Sequence, residues 1–267
     1  MLRGLDRARK PRAATELLCE RVFRPLAHLV VLALLPLRVP PPAVVAAAGV
    51  AGVAGAVALG RGQLVAAALL VQLKTVLDNA DGQLARLSGR TSAFGRYLDS
   101  EVDLLVNAAL FAALGAYTGR WVAALAGFVA LTAVLSVNFN VERLYRAEHG
   151  GDGRAMADAE GRATALLRSA YELVYAPQDR LVERFAERRL RGLPPAARAA
   201  YHDRATVAVM ANLGMSTQLA AFGLCLAAGR PLLFVWIVLA ELGLVAALAL
   251  RRELRLRGFV HRPEEAL

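Results

Sequence analysis

Cysteine, histidine and aromatic residues are scarce in this chain, and each shortage removes a class of function. The two cysteines, Cys19 and Cys225, are far apart and have no metal-type spacing. Neither reports a redox compartment, and Cys225 falls in an apolar block where a buried free thiol is expected. The four histidines (His28, His149, His202 and His261) form no HxxxH-like cluster, which argues against a histidine metal centre. Aromatics make up 6% of the chain and do not interleave with its basic residues. The formal charge of +10, nearly all of it arginine, is therefore not read as a nucleic-acid surface. The first 24 residues are charged throughout, with no apolar core ahead of a small-residue cleavage site, so no cleavable signal peptide is expected.

Hydrophobic residues are what the chain has in excess: 57% of 267. That is too apolar for an ordinary soluble domain of this length. They come in long blocks and not at amphipathic spacing, and several blocks reach the roughly 20 residues that cross a bilayer. The expected fold class is all-α: a polytopic integral membrane protein with six transmembrane helices and an N-terminal interfacial helix. Residues 1–40 read as a cytoplasmic segment, with the apolar but short stretch 25–38 lying in the interface. Residues 41–250 read as the membrane domain, with spans near 42–60, 63–77, 97–117, 121–140, 206–228 and 231–250. The second span is expected to continue as helix beyond Leu77. Between spans four and five lies a long cytoplasmic insertion, 142–205, with helical spacing broken at Pro177 and ended near Gly192-Leu193-Pro194-Pro195. Residues 251–267 form a basic cytoplasmic tail.

Counting charges gives the side. Of 32 lysines and arginines, only Arg61, Arg120 and Arg230 fall in the loops after spans one, three and five. The positive-inside rule then puts both termini, the insertion and the turn between spans two and three in the cytoplasm. The flanking arginines suit anionic headgroups. A multi-pass protein of the plasma membrane is expected.

Four of the nine aspartates crowd into one short stretch: Asp78, Asp81, Asp99 and Asp103. Spacings of three and four put each pair on one helix face. If spans two and three pack antiparallel, the pairs face one another across the turn. Carboxylates in so small a volume repel, and they need cations or protons to coexist. Hard divalent ions prefer such oxygen ligands, and two of them can clamp a pyrophosphate. Gly82 and Ala85 leave the helix surface flat for a ligand, Arg86 suits a phosphate, and Gly95 opens room at the start of span three. Asn107 lies one turn beyond Asp103. Solvated aspartates at a helix end, or the carboxylates of a transporter, are the competing readings.

The stretch reads Asp78-x2-Asp81-Gly82-x2-Ala85-Arg86-x8-Gly95-x3-Asp99-x3-Asp103. It resembles the signature of the CDP-alcohol phosphotransferases at all eight fixed positions. The resemblance implies transfer of a phosphoryl-alcohol group from a CDP-linked donor, such as the lipid CDP-diacylglycerol, to an acceptor hydroxyl, with release of CMP. It implies Asp78, Asp81, Asp99 and Asp103 as ligands of Mg²⁺ or Mn²⁺ in a two-metal site, with Asp103 as general base. It implies Asp78, Gly82, Ala85, Arg86 and Gly95 around the CDP donor, and a homodimer formed through the spans. Many members open the first span with Pro-Asn-x-x-Thr; the aligned positions here are Pro42, Ala43 and Ala46, so the asparagine and threonine are absent. A soluble CDP-linked amino alcohol or polyol as donor, or a non-enzymatic transporter or scaffold, are the alternatives.

Arg143, Arg146 and Arg204 are candidates for gripping a phosphate on the acceptor, against ordinary flanking charge. Asn138, Asn140, Asn212, Ser216, Thr217 and Gln218 are candidates for an acceptor pocket, against hydrogen bonding between helices. Lys74 lies one turn before Asp78, placed to snorkel to the interface or pair with it. Glu241 falls inside span six with no partner that the sequence names. Residues 150–158 read as a loop without calcium-site spacing. The insertion reads either as an acceptor-selecting cap or as a solvated helical hairpin.

Overall fold

The computed structural model describes residues 13–150 and 161–261, and every ordered element among them is helical. Most of the 150–158 loop lies outside the described residues. A π-helical turn, Cys19–Phe23, runs into α1, Arg24–Leu34. The long helices follow: α2 (Pro41–Gly60), α3 (Leu64–Leu87), α4 (Ala93–Thr118) and α5 (Trp121–Glu148). The insertion forms α6 (Arg162–Val174), α7 (Ala176–Leu190) and α8 (Pro195–Tyr201). The chain then returns to the bundle as α9 (Arg204–Ala211), α10 (Met215–Ala227) and α11 (Pro231–His261).

Local chemistry sets several of these boundaries. Pro40 caps α2 in an extended conformation, and prolines fill its first turn, where a missing N–H costs nothing. Pro177 stands in the first turn of α7, just after α6 ends. Ser92 starts α4 by accepting a hydrogen bond from Gly95 N at 3.1 Å. Asp203 does the same for α9, accepting from Ala205 N and Thr206 N.

Five stretches are long and apolar enough to cross a membrane: Pro41–Gly60, Ala93–Thr118, Trp121–Glu148, Pro195–Ala227 and Pro231–Gly258. The protein is thus an integral membrane protein of the all-α class. The second expected span, α3, packs against α2 and α10 but carries Lys74, Asp78, Asp81 and Arg86 from its middle to its end. The expected fifth span, near 206–228, is not one helix. It breaks at residues 212–214, where the Asn212 side chain turns to the N-terminal segment: Leu17 N donates to Asn212 Oδ1 at 3.0 Å.

A small residue lets α2 approach α4, one of the two helices that carry the motif. A Cβ at Gly52 of α2 would stand 2.5 Å from Val106 Cγ1 of α4, so only glycine allows this approach. Phe111 of α4, Phe222 of α10 and Phe234 of α11 then form an aromatic core, with Phe222 and Phe234 centroids 4.8 Å apart. The expected interfacial stretch is helical and packs on the bundle by one face. One face of α1 buries Ala27 and Val31 against Ala80 and Leu84 of α3, while Leu29 and Leu32 remain exposed.

Candidate active site

Helices α3 and α4 are joined by a short turn and both pack on α2, and their four aspartates surround one space between them. Oxygen atoms of Asp78, Asp99 and Asp103 lie within 4.8 Å of one another. Asp81 lines the same space, but its Oδ1 accepts a hydrogen bond from Gly82 N. Lys74, only 1% exposed, completes the cluster: its ammonium donates to Asp78 Oδ1 at 2.9 Å and to Asp103 Oδ1. Pairing with Asp78 was one of two sequence expectations for Lys74; the bond to Asp103, 29 residues away, was not foreseen.

Two cavities open from this cluster. One is lined by Pro41, Pro42 and Val45 of α2, by Gly82, Ala85 and Arg86 of α3, and by Gly95 and Arg96 of α4. The glycine, alanine and arginine of the motif therefore share one wall, with α2 opposite. The other, about 300 Å³, is bounded by Glu16, Cys19, Glu20 and Arg24 of the N-terminal segment, by Asn138 and Glu142 of α5, and by Ala211, Gly214, Met215 and Ser216 at the α9–α10 break. Asp81, Gly82, Arg86 and Asp99 line both cavities. Asp78 and Asp103 line only the second.

The N-terminal segment is the part of the site that sequence reading missed. Glu16 is 2% exposed and caps α10, its Oε1 accepting from Thr217 N and Thr217 Oγ1, both at 3.0 Å. A Cβ at Gly214 would meet the Glu16 carboxylate at 2.8 Å, so this segment lies directly on the helix break. Cys19 Sγ donates to Asn79 Oδ1 at 3.1 Å, and Asn79 Nδ2 donates to Ser216 Oγ at 3.1 Å. Asn79 thereby ties the segment and α10 to the motif helix. Its position next to Asp78 was the available signal.

The other candidates divide. Asn138 and Ser216 line the second cavity. Asn107 is buried and donates to Met215 Sδ at 3.7 Å. Asn140 donates to Asp179 of α7 at 2.7 Å, holding the insertion. Gln218 is bonded to Glu241 at 2.6 Å, which supplies the partner that the sequence left unnamed. None of Arg143, Arg146 and Arg204 lines either cavity. Arg143 pairs with Glu183 at 3.3 Å, Arg146 with Glu142 at 2.5 Å, and Arg204 is exposed at the start of α9.

The insertion docks behind α4. Tyr175 donates from its hydroxyl to Ser100 O at 3.1 Å, and Tyr171 stacks on Tyr175 and meets Tyr97 at a tilt. Burial, then the neighbouring Asp179 carboxylate, pushes the Tyr171 phenol up to about 12. Burial, then Asp103 and Glu101, raises that of Tyr175 as well. Both stay protonated at neutral pH and act as donors.

The family model of the CDP-alcohol phosphatidyltransferases matches residues 38–179, just over half of the chain. The chain belongs to that family. Among curated relatives it is similar to the "Bifunctional IPC transferase and DIPP synthase" of Rubrobacter xylanophilus, 35% identical over 89 residues, covering 33% of this chain and 20% of that protein. The protein of that name from Thermococcus kodakarensis is 40% identical over 83 residues, 29% of this chain and 18% of its own. The match spans only about a fifth of the length of these relatives.

Proposed function

We propose that this protein transfers a phosphatidyl group from CDP-diacylglycerol to the hydroxyl of an acceptor, releasing CMP, in phospholipid biosynthesis. The observation that carries this reading is the pair of cavities meeting at Asp81, Gly82, Arg86 and Asp99. A donor nucleotide in the cavity lined by Gly82, Ala85, Arg86 and Gly95 would bring its pyrophosphate to the shared wall. The acceptor would approach from the other side. Only that side carries Asp103, where a base for the acceptor must stand.

The residues fit a divalent metal site. Three carboxylate groups converge within 4.8 Å, and all the donors are oxygen, as Mg²⁺ and Mn²⁺ require. Asp78, Asp99 and Asp103 would hold the ions together with Asp81. Bound there, divalent ions would neutralise charge on the pyrophosphate and make its phosphorus more electrophilic. Asp103 takes the acceptor's proton as its oxygen bonds to the lipid-side phosphorus, and the P–O bond to CMP breaks. Arg86, on the wall common to both cavities, orients a phosphate by paired N–H donors.

The family reading and the charge count support six spans, a cytoplasmic active site and termini, the plasma membrane, and a homodimer. The test is CMP release by purified protein in lipid nanodiscs with CDP-diacylglycerol, Mg²⁺ or Mn²⁺, and a panel of acceptors. Acceptor-dependent CMP that vanishes in Asp103→Asn is the expected result. No donor binding with either metal would sink the reading and turn attention to soluble CDP-alcohol donors.

A further inference from the structure

One residue separates α6 from α7: Tyr175, itself in helical conformation. The two form one helical run interrupted at Pro177, which has no N–H to continue the ladder. Two spans fix the depth of this break. Tyr175 donates to Ser100 O of α4 at 3.1 Å, and Asp179 accepts from Asn140 Nδ2 of α5 at 2.7 Å. Helices α4 and α5 are joined at their other ends, between Thr118 and Trp121. Counting about 20 residues, the length that crosses a bilayer, back from Thr118 and forward from Trp121 reaches Ser100 and Asn140. Both counts put the break at the edge of the hydrocarbon layer.

The surface presented there is out of place in water. Leu173, Pro177, Leu181 and Phe185 follow at four-residue intervals, and all are exposed. Leu173 and Leu181 are 79% and 71% exposed, more than Leu125 inside the span α5 at 64%. Beside this row runs a second, Arg180, Arg184 and Arg188, also four apart and exposed. Each arginine lies three residues beyond an apolar member, so the rows are neighbours on the helix surface. No carboxylate among the described residues pairs with any of the three.

We propose that this stretch of the insertion lies in the headgroup layer of the membrane, on the side of the motif. The row from Leu173 to Phe185 meets the acyl boundary, and the three arginines meet the phosphates of anionic lipids. The insertion is then a surface anchor and not a solvated hairpin. A contiguous apolar row marks an interaction site, and its depth beside α4 and α5 makes lipid the occupant. A second copy of this chain would bring another set of unpaired arginines against the first, whereas an anionic leaflet neutralises them. The inference rests on α4 and α5 crossing the membrane and not on the reaction proposed above.

The experiment places the full chain, one copy per nanodisc, in phosphatidylcholine with and without phosphatidylglycerol. A spin label at Leu181→Cys is read for collision with oxygen, which concentrates in lipid, and with a water-soluble nickel chelate. Glu187→Cys, exposed and outside both rows, is the water-facing reference, and the unsubstituted chain gives the background from the buried Cys19 and Cys225. Nickel collision should be several-fold lower at Leu181→Cys than at the reference, and oxygen collision higher. Leu173→Cys repeats the reading on the other side of Pro177, so the result does not hang on the folding of one variant. Phosphatidylglycerol should strengthen the shielding, and joint replacement of Arg180, Arg184 and Arg188 by glutamine should remove that dependence. Equal nickel access at the leucine and reference positions overturns the proposal. Shielding that appears only when two chains share a nanodisc overturns it too, and gives the face to a second copy. Shielding indifferent to lipid charge refutes the role of anionic lipid.

Discussion

The ammonium of Lys74 donates to both Asp78 and Asp103, joining the first and last aspartates of the motif across two helices. The lysine is buried, so it acts as a fixed positive charge inside a group of four carboxylates. Removing it would leave that group with no internal cation. Breaking a buried pair on one side costs about 3–5 kcal/mol. Lys74→Met should therefore lower the thermal midpoint of metal-free protein in detergent and enlarge the stabilisation given by Mg²⁺ or Mn²⁺. A metal-free variant that melts with the wild type would contradict this role.

Asp103 lines the cavity bounded by the N-terminal segment and is absent from the one bounded by α2. Asp103→Asn should keep the fold and donor binding while CMP release falls by about 10²–10⁴-fold, the usual worth of a general base. Single-turnover CMP release at saturating donor measures this. Turnover within a few-fold of wild type would remove Asp103 from the role of base.

Asp78 shares Lys74 with Asp103 and lies at the convergence of the three carboxylates. Asp78→Asn should weaken metal and donor binding together, because the donor's pyrophosphate would depend on the cations. Titrating the thermal shift with Mn²⁺, with and without CDP-diacylglycerol, separates the two. Intact donor affinity beside lost metal affinity would show that the donor is held without the ions.

Gly52 allows α2 to approach α4, and its missing side chain faces Val106 at 2.5 Å. Gly52→Ala should destabilise by about 1–3 kcal/mol, the typical cost of overpacking. Val106→Ala in the same background should restore the midpoint. Failure of that rescue would mean that the contact does not limit this packing.

Tyr175 binds the backbone of Ser100, between Asp99 and Asp103, through a hydroxyl kept protonated. Tyr175→Phe removes one hydrogen bond, worth about 1 kcal/mol. Limited proteolysis of the insertion should become several-fold faster. An unchanged cleavage rate would show that Tyr175 does not hold the hairpin down.

The sequence alone determined the class of fold and the chemistry of the motif. Long apolar blocks, arginines on one side and aspartates at helical spacing are all local quantities, because a bilayer is read by length and a helix face by a period of 3.6. Lys74 was legible as a neighbour of Asp78 for the same reason. Its bond to Asp103 was not, since that depends on how α3 and α4 are each set against α2. Glu16 and Glu20 fell in an N-terminal stretch that was charged throughout. Only the tertiary structure bends that segment over Gly214 and makes it a wall of the cavity. Arg143 and Arg146 could be read as phosphate ligands or as ordinary flanking charge, because pattern reports which side of a membrane a charge is on, not which way it turns. Their partners Glu183 and Glu142 decided that. Contacts between distant segments carry no periodic signature, so the division of the site into two cavities belongs to the fold.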